Sequence, residues 1–410
     1  MSTSSLGIQT RAYDNSVSSA KAAPARISSL DLIRGVVMVL MAIDHVRVYS
    51  GVPAGGPTPG IFFTRWVTHF CAPAFVFLAG TGAFLLGERL RDKRALARYL
   101  VTRGLILVAL ELTVLHVAWT FTFNFTQLLA GVIWMLGWCM VLLAAIIWLP
   151  MPAIGAFGVG VIVLHNLMDF VSDATRTTLE QSSLAWLWQI LYFGGPIQLG
   201  QNGPTLLVLY SIVPWIGVMS AGYAFGAVMT LEPRRRDRVC VALGASAIVL
   251  FLLLRTIDVY GDPRHWHVTE PTQMPPLFRF INTTKYPASL QFLLMTLGPT
   301  ILLLPLAERA RGKIGEIFAT FGRVPMFYYL IHIPAIHLAA VIVSLVREGG
   351  VNPWLFANHP AMSPRPPDGY TWKLSLLYAV FIVVVAVLYF PCRWYARKKA
   401  SAPSLWMRYI

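Results

Sequence analysis

Residues 374–391 read Leu374-Ser-Leu-Leu-Tyr-Ala-Val-Phe-Ile-Val-Val-Val-Ala-Val-Leu-Tyr-Phe-Pro391, eighteen residues without a charge. Five basic residues follow before the end: Arg393, Arg397, Lys398, Lys399 and Arg408. A helix of about 20 apolar residues crosses the hydrocarbon of a bilayer, and Lys and Arg collect at its cytoplasmic end. This stretch therefore predicts a membrane span and the direction in which it runs.

Comparable apolar stretches lie near 32–50, 66–87, 100–122, 127–149, 153–169, 205–230, 239–258, 286–306 and 319–346. The expected fold is all-α, a polytopic integral membrane helical bundle of about ten transmembrane helices. The fifth stretch is short, and the ninth is long enough to break at Pro334. Composition agrees: the 410 residues are 56% hydrophobic and 12% charged, with a mean hydropathy of +0.63. Soluble domains carry about 25% charged residues, so most cytosolic enzymes and nucleic-acid modules are excluded.

The net charge of +15 is a topology signal before it is a ligand signal. Ten spans place both termini on one side, and 23 basic residues fall on that side against nine on the other. Acidic residues divide almost evenly, so the bias is one of Lys and Arg. Both termini are expected in the cytoplasm and the protein in the inner (plasma) membrane. Residues 1–29 read as a disordered cytoplasmic tail rather than a signal peptide, 30–396 as the membrane domain and 397–410 as a second tail. Cys71, Cys139, Cys240 and Cys392 have no metal-type spacing and read as core residues; no metal is expected. The lipid bilayer is the expected partner, nucleic acid is not, and the sequence leaves a homodimer open.

Ionisable groups inside a span are costly and point to function. Here they concentrate at the outer ends of the spans: Asp44, His45 and Arg47, then His69, His116, His165 with Asn166 and Asp169, Arg255 with Asp258, and Lys285-Tyr286. A polar chamber beneath the long outer connections (170–204, 259–285 and 347–373) is expected. Each residue has a plainer reading, at the headgroup level or hydrogen-bonded within the packing. For Arg255 and Asp258 a local pair three residues apart would suffice, and for Glu111, deeper in its span, packing is as good a reading as function. Arg34 and His45, eleven residues apart, fall near one helix face and about 16 Å apart along the axis. One helix thus carries a cation at its inner end and a candidate base near its outer end. His332 and His337 lie deeper in the ninth stretch, around Pro334.

The run Ser29-Leu-Asp-Leu-Ile-Arg-Gly-Val-Val-Met-Val-Leu-Met-Ala-Ile-Asp-His-Val-Arg-Val-Tyr49 resembles the opening of the heparan-α-glucosaminide N-acetyltransferase catalytic-domain family. Thr68–Gly80, Lys285–Pro299 and Gly322–His332 match as well, so the resemblance covers most of the chain. It implies a multi-helix membrane acyltransferase that takes an acetyl group from cytosolic acetyl-CoA, as co-substrate, to an amine or hydroxyl of a sugar-type acceptor, a small molecule or glycan, on the far side. Arg34, Arg323 and the basic loop 88–98 are then candidates for the CoA phosphates, since guanidinium suits phosphate geometry. His332, Lys285 and Tyr286 are candidates for the acceptor. The chain departs from the family in two places. The eukaryotic members carry an important His in the loop after the first helix, where residues 51–64 have none, and they have Asn where this chain has Asp44. Asp44 and His45, with His69, are therefore the expected catalytic set, acting as general base. The competing readings are a proton-coupled membrane transporter, which inverted repeats would favour, and a structural membrane protein.

Overall fold

The computed structural model describes residues 28–56, 58–267, 274–310, 312–357, 364–401 and 407. Residues 1–27 of the expected N-terminal tail lie outside them, while Ser28 and Ser29 open the first helix. The long helices are α1 (Ser28–Ser50), α2 (Pro59–Leu90), α3 (Lys93–Thr120), α4 (Val132–Ile146), α5 (Met151–Phe170), α6 (Ile212–Met229), α7 (Pro233–Ile257), α8 (Leu290–Arg309), α9 (Lys313–Arg323), α10 (Pro325–Glu348) and α11 (Leu374–Ser401). Eight of them are long and apolar enough to cross a membrane by length and composition, which makes the chain a polytopic helical membrane protein. Of the other three, α1 is long enough but carries Asp31, Arg34, Asp44 and Arg47 and is buried along most of its length. At fifteen residues α4 falls short of a full crossing. The short α9 packs across α1.

Helix ends follow local chemistry. Thr58 caps α2 by accepting from the Ile61 amide, with Pro59 in the first turn. Glu232 does the same for α7 ahead of Pro233, and Ser289 accepts from Phe292 at the start of α8. Side chains that satisfy first-turn amides are what these residue types supply. Between helices, glycines set the contacts: Gly80 and Gly222 join α2 to α6, Gly104 and Gly137 join α3 to α4, and Gly244 and Gly298 join α7 to α8. Small residues let backbones approach where lipid offers no hydrophobic drive for association. α6 and α8 lie inside the bundle, whereas α5, α7 and α11 turn most of their surface outward.

Two expectations need correction. The long ninth stretch does not break at Pro334, which α10 carries in its interior; the interruption lies at Val324, between α9 and α10. Nor are the apolar stretches beginning at 127 and 205 helical from their first residues. Gln127–Ala130 is strand β1, Thr205–Val208 is β3, and with β2 (Gly195–Gln198) they form a small sheet of order β1-β3-β2. β1 runs parallel to β3, pairing Leu128 with Leu206, and β2 runs antiparallel to it, pairing Ile197 with Leu206. A short apolar run cannot be assigned to helix or strand by hydropathy alone. At the far end, α11 continues through residues 397–401, which the sequence reading placed in a tail. All four cysteines are free and buried.

The bundle has two unlike ends. Arg34, Arg103, Arg236, Arg309, Arg323 and Lys399 stand at the basic end, where α1 begins. At the loop end, where α1 finishes, stand the sheet and the described parts of the long connections. Trp372 there donates its amide to the Ser50 carbonyl, and the Tyr370 hydroxyl donates to Tyr49.

Candidate active site

A pair of histidines joins α1 to α10. His45 Nδ1 lies 2.7 Å from His332 Nε2. The other ring nitrogen of His332, Nδ1, faces the carbonyl oxygens of Tyr329 (2.8 Å) and Tyr328 (3.1 Å). Carbonyls only accept, so Nδ1 of His332 carries the proton and its Nε2 is an acceptor. His45 Nδ1 must then be the donor, which leaves the lone pair of His45 on Nε2. Trp119 sits edge-on to the His45 ring, 4.8 Å between centroids, and Tyr329 lies 6.3 Å away. His332 is fully buried while His45 stays partly accessible. His332, expected among the acceptor-binding residues, is thus enclosed with both nitrogens engaged, and it orients His45.

The neighbour of His45 has a different task. The Asp44 carboxylate receives Arg47 Nε at 2.8 Å and Arg65 Nη1 at 2.5 Å. Two guanidiniums hold it, one from its own helix and one from α2, so its negative charge is locally balanced. Arg65 is the residue that sequence reasoning missed. Its signal was present: it stands four residues before His69, on the same helical face.

Arg65 and His69 line a cavity of about 260 Å³ at the loop end, together with Lys285, Tyr286, Asn282 and Thr284. His69 sits in a short tightened turn of α2, Val67–Phe70, against Phe292. Its Nδ1 is buried without a hydrogen-bond partner among the described residues. The buried Lys285 holds its ammonium over the rings of Tyr210 and Tyr286, at 5.9 and 5.4 Å. Asp262 braces the segment that presents these residues, accepting from the Thr284 amide and hydroxyl and from the Ser289 hydroxyl.

A second cavity, of about 340 Å³, opens at the basic end. Arg34, Arg103, Arg323 and Lys399 stand in its wall, and Met38, Ile133 and Tyr329 line it further in. Arg34 also reaches Asp31 and the Gly322 carbonyl, both at 3.2 Å, and Arg323 is paired with Glu316 at 2.7 Å. Of the basic loop, residues 88–98 stay out of the wall; Arg103, further along α3, contributes instead. Tyr329 at the inner end touches His332 ring to ring, 5.1 Å between centroids. The histidine pair therefore lies between the two cavities, behind Tyr329 on one side and beside the Asp44–Arg65 pair on the other.

The remaining polar residues of the expected chamber do structural work. Arg255 is fully buried and donates to the carbonyls of Phe280, Arg264 and Arg279 and to Gln291, tying the 259–285 connection to α7. Its distance to Asp258 is a loose 3.9 Å. His165 is fixed between the Val161 and Ala288 carbonyls, and His116 bonds to Asn124. Glu111 accepts from the amides of Ile133 and Trp134 at the start of α4, where a carboxylate meets the positive end of a helix. Among the described residues, no group of three or more His, Cys, Asp or Glu is placed to hold a metal ion.

A family model described as heparan-alpha-glucosaminide N-acetyltransferase, catalytic, matches residues 26–255. The chain belongs to this family. A comparison with curated proteins finds no match. Membership brings a membrane acetyltransferase type of function in general terms. The matched stretch contains Asp44, His45, Arg65 and His69, whereas His332, Lys285, Tyr286 and Arg323 come from the part of the chain beyond it.

Proposed function

We propose that this chain moves an acetyl group from cytoplasmic acetyl-CoA, bound at the basic end, to an amine or hydroxyl of a sugar-type acceptor bound at the loop end. The observation that carries the reading is the His45–His332 pair between two cavities of opposite aspect. The excess of Lys and Arg at the end where α1 begins orients that end, with both termini, to the cytoplasm of the plasma membrane. Arg34, Arg103, Arg323 and Lys399 supply positive charge for the CoA phosphates at the mouth, and the apolar interior beyond them suits the thioester arm. The cavity is at the small end of ligand sites, about 300 Å³ upward, so it takes the arm and leaves the nucleotide at the rim.

In this reading His45 Nε2 removes the proton from the acceptor nitrogen or oxygen as that atom attacks the acetyl carbonyl. The carbon–sulfur bond breaks, and the thiolate takes the proton back from His45, giving the acetylated acceptor and free CoA. His332 keeps His45 in the tautomer this needs, the task that an orienting partner performs for a catalytic histidine. Asp44 holds Arg65 and balances the site rather than serving as the base. His69, Lys285 and Tyr286 face the acceptor.

The reading is tested with purified protein, labelled acetyl-CoA and a panel of amino sugars and cell-envelope glycans. His45→Ala and His69→Ala, each alone, should cut transfer by about a hundredfold or more. Arg34→Ala should raise the KM for acetyl-CoA about tenfold, the worth of one charge-assisted contact. Full transfer in both histidine variants overturns the proposal.

A further inference from the structure

A third feature at the basic end adjoins the proposed acetyl-CoA cavity and shares Arg323 and Lys399 with it. An apolar groove of about 470 Å³ runs between α1, α9 and α11, lined by Val39, Phe318, Phe321, Ile382, Ala386 and Phe390 among others. It meets a cavity of about 530 Å³ at Tyr389, which lines both. Arg323, Arg393, Arg397 and Lys399 line that cavity. Glu316 is its acidic lining residue, and Arg323 binds it at 2.7 and 3.3 Å.

One face of α11 makes this transition. Ile382, Ala386, Tyr389, Arg393, Arg397 and Ala400 follow at steps of three or four, the spacing of a single helical stripe. Its apolar part, from Phe381 to Phe390, is about 13 Å long, close to the roughly 15 Å hydrocarbon depth of one leaflet. Arg393 lies a turn or less beyond it and Arg397 a turn further, at headgroup level. A groove wholly apolar along one leaflet, ending in clustered cations, is complementary to a molecule with a hydrocarbon chain and a phosphate. A nucleotide would use the cations and leave the groove empty.

We propose that this groove and its cationic end hold an anionic phospholipid of the surrounding leaflet, with an acyl chain between α9 and α11 and the phosphate among Arg323, Arg393, Arg397 and Lys399. The site is separate from the histidine pair and stands whether or not the acetyl-transfer reading does. Basic pockets between membrane helices bind lipid headgroups through this combination of charge and depth.

The test uses the purified full chain in neutral detergent, with lipid binding read by native mass spectrometry and by the shift in melting temperature. Phosphatidylglycerol should bind tighter than phosphatidylcholine and raise the melting temperature, and inorganic phosphate at the same concentration should not. Neutralising both arginines in R393Q/R397Q should weaken phosphatidylglycerol about 30-fold, near fivefold per charge, while R393K/R397K retains it. Ala386→Trp, which fills the groove and keeps every charge, should also lose the lipid, and it serves as the decisive variant if the double glutamine chain does not fold. Equal binding of the two lipids overturns the proposal. So does stabilisation by phosphate alone, or wild-type lipid affinity in Ala386→Trp.

Discussion

His45 donates from Nδ1 to His332 Nε2 across 2.7 Å, and the backbone of α10 fixes the direction of that bond. The hydrogen-bonding groups that Tyr328 and Tyr329 offer His332 Nδ1 are carbonyl oxygens, so the polarity of the pair follows from the fold. His45 presents a lone pair on Nε2 in a partly accessible position, with Trp119 against its ring.

Removing His45 should lower kcat by about 10²–10⁴, the usual contribution of a positioned general base. His332→Ala should cost less than His45→Ala, and the double variant should lose little beyond His45→Ala, because residues that act as a unit are not additive. A purely structural His332 would move the melting temperature and leave kcat per folded molecule intact. Steady-state kinetics of the three variants, normalised to folded protein, separate the two roles.

Asp44 is held by Arg47 and Arg65 at 2.8 and 2.5 Å. Asp44→Asn leaves two guanidiniums facing each other without their shared anion. Breaking a buried pair from one side costs about 3–5 kcal/mol, discounted here because both partners keep slight solvent contact, so a loss of about 2–3 kcal/mol is expected. Asp44→Asn combined with Arg65→Gln should recover part of it, since the stranded charge goes as well. If the double variant melts lower than Asp44→Asn, the pair is not what stabilises this junction.

The span pattern was readable because apolar runs of bilayer length have one dominant cause, and α2, α3, α7 and α11 follow it closely. The sheet was not readable, because Leu128-Leu129 and Leu206-Leu207 present the same hydropathy as a buried helix; only their pairing partners distinguish them. At the site, Asp44, His45 and His69 stood out as charges and imidazoles within apolar runs. Arg65 did not, because it stands near the beginning of α2, where a cation at the membrane surface is unremarkable. The pairing of His45 with His332 spans 287 positions, and no spacing rule reaches that far. The several polar residues assigned to one chamber divided into a cavity lining and a set of knots. Burial of Arg255 among three carbonyls has no counterpart in the local sequence.

Glu111 illustrates the structural half of that division. Its carboxylate accepts from Ile133 and Trp134 at 2.9 and 3.3 Å, beginning α4 after the sheet. Glu111→Ala should destabilise by about 1–3 kcal/mol, the cost of leaving buried donors unmet, while Glu111→Gln keeps an acceptor oxygen and should cost less. Activity per folded molecule should survive in Glu111→Gln. A glutamine variant that folds normally and fails in catalysis would move Glu111 from packing into the chemistry.

The crossing of α1 with α9 decides where Arg34 and Arg323 stand at the mouth of the basic cavity, and it depends on two glycines. A Cβ on Gly35 would lie 1.7 Å from the Phe318 carbonyl oxygen, and one on Gly322 would lie 1.7 Å from that of Asp31. Neither neighbour is a side-chain tip that can swing aside, so each methyl must push the helices apart. Arg34, which reaches the Gly322 carbonyl at 3.2 Å, would lose its anchor at the same time. Overpacking in a close-packed interior costs about 1–3 kcal/mol, and two backbones in contact place these sites at the upper end. Gly35→Ala and Gly322→Ala should each lower the melting temperature and weaken acetyl-CoA binding together. Gly160→Ala, with open space around its Cβ in α5, should be neutral or slightly stabilising through helix propensity. A melting temperature for Gly35→Ala equal to that of Gly160→Ala would mean that the two helices do not cross at this distance.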